Sequence, residues 1–439
     1  MISLTARRSA ASSLRFPAAL PPCRLAALAM IFAGSVLSAQ ARAIAIRGGT
    51  VIPVSGAPIP NGVVVMQNGK IVAVGANVPI PSGAEIVEAK GKYVMPGVID
   101  AATNLGIDAS DLNDATDPMT PASRALDSYY PFGSFGSGKV GPLRNHEALS
   151  GGVTTLYIGP ADAAILGGQG AVVKTAGASL EAVVVKDVVA MNMTLGTPPK
   201  AAARARNRDP YTRMAEVAML RQLFVKAQEY QRDKAQTPTK PRDLALEAVG
   251  LVLSRKIPAK IEANSATDIR SALRLAQEFG FDLIIDGGAA ASDVKDELVA
   301  RRIPVILGMQ SHPYVSNEEI PDKQDYPPID ERTAATLSSA GIKVAIATFS
   351  RAFGTLAPAG STKWLLFDAA IAGGYGFSDE QILRSVTLGP AEILGIADRV
   401  GSLAAGKDAD VLVLDGPPLS IKTWVEKVYV NGELVHERK

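Results

Sequence analysis

The chain has 439 residues, 47% of them hydrophobic and 5% aromatic, with a formal charge of +2. That length suits two or three average domains, or one large barrel with a small companion, and the aliphatic composition excludes long disorder. Five arginines in the first 43 residues (Arg7, Arg8, Arg15, Arg24 and Arg42) supply the excess; without them +2 becomes −3, which excludes a nucleic-acid binder built on bulk positive charge.

Residues 1–43 read as a secretory signal peptide. They hold no acidic residue, an apolar run LAALAMIFAGSVLSA at 25–39, and the small-x-small pattern Ala41-Arg42-Ala43 of a cleavage site. The run is shorter than the roughly 20 residues a membrane span needs. The expectation is cleavage and export, to the periplasm or outside, with no membrane span left. The single cysteine, Cys23, leaves with this segment, so the mature chain can form no disulfide and has no thiol nucleophile.

Residues 44–96 read as short strands: AIAIRGGTVIPV, GVVVMQNGKIVAVG and AEIVEAKGKYVM. Asn68-Gly69 between two apolar runs predicts a tight hairpin. Residues 97–398 alternate. Strand-like runs at VMPGVIDAA, GVTTLYIG, GAVVKTAG, DVVAMNM, PAKIEAN, DLIIDGG, PVILGMQ and KVAIATF are mostly followed by helical patterns. The clearest helix is SATDIRSALRLAQEFG. Ser265 with Asp268 resembles a capping box, Ile269, Ala272, Leu273, Ala276 and Phe279 form one apolar face, and Gly280 is a stop. Eight such units predict an α/β fold, a (β/α)8 TIM-like barrel. GGQGAVVKT from Gly167 matches neither GxGxxG nor GxxxxGK[ST], and its glycines read as a tight loop. Residues 399–439 return to strands, with ADVLVLDG, VEKVYVNGELV and a second hairpin at Asn431-Gly432. The two ends therefore predict a small β-sandwich domain built from 44–96 and 399–439.

GKYVMPGVID, GGVTTLYIG, IPAKIEANSATDIRSALRLAQEFG, VAIATFS, VTLGPAEILGIADRVGSLAAGKDADVLVLDG and the closing VYVNGELV together resemble the amidohydrolase superfamily, in its imidazolonepropionase-like branch. The resemblance covers nearly the whole mature chain. It implies the metal-dependent barrel plus composite β-sandwich, and hydrolysis of carbon–nitrogen bonds other than peptide bonds. One or two divalent ions, commonly zinc, would lower the pKa of bound water and polarise the scissile carbonyl while a carboxylate takes the proton.

Carried over position by position, the family's ligand motifs fall on other residues. His-x-His after the first barrel strand falls on Ala102 and Asn104. His-Ala-His after the fifth falls on Glu262-Ala263-Asn264. The histidine after the sixth falls on Gly287, and the aspartate after the eighth on Phe349. The bridging lysine falls on Asn192, with Lys174 as the alternative. Catalytic zinc needs about three protein ligands. The chain has three histidines, and only His312, in MQSHPY after the seventh strand, lies near the functional face; His146 precedes the second strand and His436 is near the C-terminus.

The leading expectation is an exported family member without the inherited metal chemistry: a non-canonical or inactive homologue acting as a binding or partner subunit. An active amidohydrolase paralogue, a second copy of the chain or a small-molecule ligand would be its partner. No cofactor is expected; zinc or another divalent ion enters only with a rebuilt site. The alternative is an active hydrolase of a cyclic amide or amide, with Glu262, Asp286 and His312 as catalytic candidates and Asn104, Asn264 and Arg208 as substrate-binding ones. Against these stand plainer roles: Asp286 capping backbone in its DGG turn, Glu262 paired with an arginine, His312 shaping a loop before Pro313, and Arg208 within a solvated basic cluster with Arg204, Arg206 and Arg213. Asp100 reads as a backbone acceptor at the barrel mouth, Asp410 as a turn residue, and Trp364 and Trp424 as packing residues.

Overall fold

The computed structural model describes residues 42–114, 117–130, 140–308, 330–348 and 360–439. Residues 1–41, with Cys23, and the candidates His312 and Phe349 lie outside them.

Sixteen strands are described along the chain. β1 (Ile44–Val51), β2 (Ile59–Gln67), β3 (Lys70–Gly75), β4 (Glu85–Glu88) and β5 (Tyr93–Pro96) come first. Then follow β6 (Val98–Thr103), β7 (Val153–Ile158), β8 (Leu166–Lys174), β9 (Val184–Thr194), β10 (Ala259–Ala263), β11 (Leu283–Gly287), β12 (Val305–Leu307) and β13 (Val344–Ile346). β14 (Val411–Leu414), β15 (Val425–Val430) and β16 (Glu433–Glu437) close the chain.

The two chain ends form one sheet in the order β16-β15-β14-β5-β1-β2-β3, with β4 on β1. β5 pairs in parallel with β1 and antiparallel with β14, so it joins the two ends. Both hairpins form where Asn-Gly predicts them. Asn68 and Gly69, then Asn431 and Gly432, all take positive φ, the backbone that a two-residue turn between twisted strands requires. Ile46, Met66, Ile71, Val94, Val411, Val413 and Tyr429 pack as this domain's own core.

The second sheet is the barrel. Its strands follow sequence order from β6 to β13, and it contains all eight runs expected from the sequence. The pattern of its third strand is different. β8 lies antiparallel to both β7 and β9. The link 159–165 between β7 and β8 explains this, because a parallel crossover needs about a dozen residues or more. The glycines of GGQGAVVKT are accordingly not a loop but the first half of β8. Gly170 has no room for a side chain, since a Cβ there would collide with the Tyr157 hydroxyl. The run VMPGVID also divides: Met95 and Pro96 pair with β14, while Val98 onward enters the barrel. Gly97 sits at the crossing, where a Cβ would strike Thr154.

Alternation sorts the barrel's two faces. Ala259, Ile261, Ala263, Leu283 and Ile285 pack outward with Ile269, Ala272 and Leu273 of the helix Ala266–Phe279. Ile99, Tyr157, Val172, Ala190, Ile284, Ile306 and Ala345 pack together inside. The helix itself runs as expected. The Ser265 hydroxyl accepts the Asp268 N–H at 3.1 Å, and Gly280 ends it in the left-handed conformation.

Candidate functional site

The mouth of a parallel barrel is its C-terminal face, where the ends of several strands converge. Lys260 and Glu262 on β10, and Ile284 and Asp286 on β11, share the interior face, because residues two apart in a strand point the same way. Glu262 and Asp286 are register partners, so the two carboxylates sit at one level near the mouth. Both residues are buried, as is Lys260 one step deeper. The Lys260 ammonium reaches up to Asp286 in a buried ion pair. It also lies 5.0 Å from the Tyr157 ring centroid, within cation–π range. The Tyr157 hydroxyl donates to Asn192 Oδ1 at 3.0 Å, and the Asn192 amide donates to the Gly168 carbonyl at 3.3 Å. Asn192 is in turn the register partner of Lys260 on the other side.

The expected site residues therefore separate. Glu262 and Asp286 are brought together. Asn264 plays a structural part. Its amide donates to Glu262 Oε1 at 3.3 Å, and its carbonyl oxygen accepts the Ala289 N–H at 3.4 Å. It ties the β10 end to the turn after β11. Glu262 thus takes an asparagine amide, and Asp286 takes a lysine. Asn104 is buried just beyond β6, and Ala102 packs with the interior apolar cluster. Gly287 has φ +84°, and a Cβ there would collide with Asn264 Oδ1, so packing reserves the position for glycine. Arg208 follows the helix Thr197–Arg204; it is half-buried, and its Nε has no hydrogen-bond partner. Arg204 and Arg206 donate to the Tyr211 and Ala202 carbonyls, and Arg213 holds Asp268 at 2.7 Å.

Lys174 lies at the opposite end of the barrel. Because β8 runs backwards, its last residue pairs with Thr155 near the start of β7. Its ammonium bonds Asp410 and approaches Asp408 at 3.1 Å. Trp364 and Trp424 are 48% and 44% exposed, so neither is a core residue; both line a surface groove of about 550 Å³.

Lys260 is the site residue that the sequence motifs do not single out. The signal is present in PAKIEAN: a lysine two residues before a glutamate, in a strand otherwise apolar, shares its face. A run buried on both faces masks it, because the flanking alanines and isoleucine give no alternation of polarity.

Near the same end of the barrel, Glu216 is fully buried in the helix Arg213–Gln236. One carboxylate oxygen accepts the Gly196 N–H at 3.1 Å, and the other has no hydrogen-bond partner. Burial pushes its carboxyl up to about 7, with the Gly196 N–H and Lys200 pulling the other way. Asp100, buried on β6, is pushed up to about 6 by burial, against hydrogen bonds from the Thr348 hydroxyl and backbone and the Ala102 N–H.

Among the described residues, no three His, Cys, Asp or Glu side chains are placed to hold a metal ion. The donor chemistry gives the reason. Ala102 and Gly287 offer no side-chain donor, Glu262 is held by Asn264, and Asp286 is committed to an ammonium. These side chains do not fit a divalent-metal cage.

Comparison with known proteins agrees with the architecture. The amidohydrolase family model matches residues 300–435. The crystal structure of an amidohydrolase from Thermotoga maritima MSB8 is 34% identical, covers 90% of this chain and 100% of its own, and superposes with a TM-score of 0.80. The amidohydrolase tasK of Hapsidospora irregularis is 25% identical over 409 residues, 84% of this chain; the chain spans 39% of that curated relative's length. A prolidase complexed with N-methylphosphonate-L-proline, 18% identical, shares the fold at a TM-score of 0.57 over 90% of this chain and 100% of its own. Identity above 30% along the whole of a solved relative, with the same barrel and composite sheet, places this chain in the amidohydrolase family.

Proposed function

We propose that this protein is an exported amidohydrolase whose inherited metal ligands are replaced, and that it works as a binding or partner subunit. Its partner is an active amidohydrolase paralogue or a second copy of the chain, with a small molecule bound at the barrel mouth. The observation that supports this reading most is the fit at Gly287. The position expected to carry a histidine is filled from outside by Asn264, which also engages Glu262. A side chain there would require the Asn264 amide to move and would strain the positive-φ backbone.

The test is the metal content of the protein spanning 44–439, purified without chelator and measured before and after zinc and manganese loading. Less than about a tenth of an equivalent in both states is expected where three ligands cannot assemble. Near one equivalent sinks the reading. Export is checked separately, by the mature N-terminus of the protein recovered from culture; a chain that retains its first 43 residues and stays in the cytoplasm contradicts it.

A second reading draws on the side-by-side placement of Glu262 and Asp286. Two carboxylates at one level can divide acid and base roles, as in hydrolysis of a cyclic amide or amide. Glu262→Ala would then abolish turnover in a lactam and amide screen. Turnover on an identified substrate that survives this change removes the idea.

A further inference from the structure

Two carboxylates at one level inside a barrel need a neutralising charge. We propose that the Lys260 ammonium is the resident cation of the barrel mouth, seated against Asp286, the register partner of Glu262, where a divalent ion would otherwise be drawn, and that it keeps such ions out. This rests on the proposed loss of the metal site and goes further, to the cation itself.

Three observations carry this. First, the ammonium is almost wholly buried, and its ion pair with Asp286 is buried with it. Buried charge persists only where an opposite charge compensates it. Second, the other side of the ammonium is walled by the Tyr157 ring at 5.0 Å, and that ring is fixed by its hydroxyl bond to Asn192. Third, the wall depends on a glycine. Gly170 on the neighbouring strand leaves room for the Tyr157 hydroxyl that any Cβ would take. Strands β7, β8, β9, β10 and β11 all contribute to seating this one cation.

Electrostatics then accounts for selectivity. An ammonium fixed beside Asp286 repels a second cation and already holds one of the two anionic donors. An ammonium also has no open coordination position. The centre therefore keeps positive charge without being able to bind water or a carbonyl oxygen as a metal does.

The experiment is Lys260→Met, which preserves length and removes charge, with Lys260→Arg as the charge-conserving control. Binding of Zn2+ and of Mn2+ alone is measured by calorimetry and elemental analysis, and folding by circular dichroism. Lys260→Met takes the ammonium away from Asp286 and is expected to hold one of these ions through Asp286, Glu262 and water, without a three-ligand protein cage, yet at least about 100-fold more tightly than the unaltered protein. Excess ion should raise its melting temperature by about 3 °C. Lys260→Arg should stay metal-free, and adding Asp286→Asn to Lys260→Met should abolish the gain. A folded Lys260→Met protein that takes up no ion overturns the inference. If that variant does not fold alone, excess Zn2+ or ethylammonium during refolding should restore it, and a chain that stays unfolded with both overturns the inference equally. A full equivalent of metal in the unaltered protein defeats this inference and the proposed function together. Failure of the variant to gain metal, with the unaltered protein metal-free, defeats this inference alone.

Discussion

Glu216 shows how far a single side chain can be from its solution behaviour. Its ordinary carboxyl pKa of 4.5 is raised to about 7 by burial. A raised carboxylate pKa means the folded state resists ionisation. The cost is absent below about pH 4.5, where folded and unfolded states are both protonated. It grows as pH rises and is complete above about 7. Glu216→Gln keeps an oxygen for the Gly196 N–H and cannot ionise. It should leave stability unchanged near pH 4 and increase it at pH 8, by an amount on the order of 3 kcal/mol. Urea denaturation of both proteins at the two pH values checks this; equal midpoints at pH 8 contradict it. Residue-level chemistry is legible in part. Glu262 and Asp286 stand out in the sequence as carboxylates at strand ends, and their register places them together. Asn264, expected to contact a ligand, ties two loops, because its amide has both a carboxylate and a backbone N–H within reach. No sequence pattern distinguishes those uses of an asparagine.

The barrel's first and last strands raise a different problem, since closing a sheet requires its ends to meet. β6 and β13 are the ends of the strand order. Asp100 on β6 spans them, accepting the Thr348 N–H at 3.2 Å and the Thr348 hydroxyl, which also lies 3.3 Å from the Thr362 hydroxyl. The expectation of a backbone acceptor at the barrel mouth therefore describes part of its role, and closing the seam is the rest. Thr348→Val removes a buried hydrogen bond to a carboxyl without changing shape. It should cost about 2 kcal/mol, measured by urea denaturation at pH 7.5, and speed amide exchange along β13. A cost under about 0.5 kcal/mol would mean that the seam is held by packing alone. The helix at 266–279 and both Asn-Gly hairpins are readable because cap, periodicity and turn are all local. The direction of β8 is not, because the short link 159–165 matters only once its two strands are known to be neighbours.

Across the whole molecule, barrel and terminal sheet are joined by buried charge. Lys174, at the end of β8, meets Asp410 and Asp408 on the segment leading into β14. Asp408 is also held by Lys70 at 2.6 Å and Arg399 at 2.9 Å. Burial pushes its carboxyl up, and Lys174, Lys70 and Arg399 together outweigh that and hold it below the usual range. Asp410 Oδ1 accepts the Asn431 N–H at 3.0 Å, so the second hairpin hangs on the same cluster. Removing one partner from such a cluster leaves buried charge uncompensated. Lys174→Met should therefore cost about 3 kcal/mol or more. It should also loosen the terminal sheet before the barrel, seen as earlier proteolysis near the 431–432 turn. A single unfolding transition with an unchanged midpoint would refute the link.

Read along the chain alone, the residues specify the strands, the hairpins, the clear helix and the family, since these depend on residues near one another or on patterns that recur. Which residues stand at the family's ligand positions is what the resemblance implies. Three-dimensional packing alone settles that Lys260 faces Asp286, that Asn264 closes off Gly287, and that Lys174 belongs to the joint between domains rather than the mouth. Each depends on which strand lies beside which and in which direction, and burial then decides whether a charge stands in water or must find its partner inside the protein.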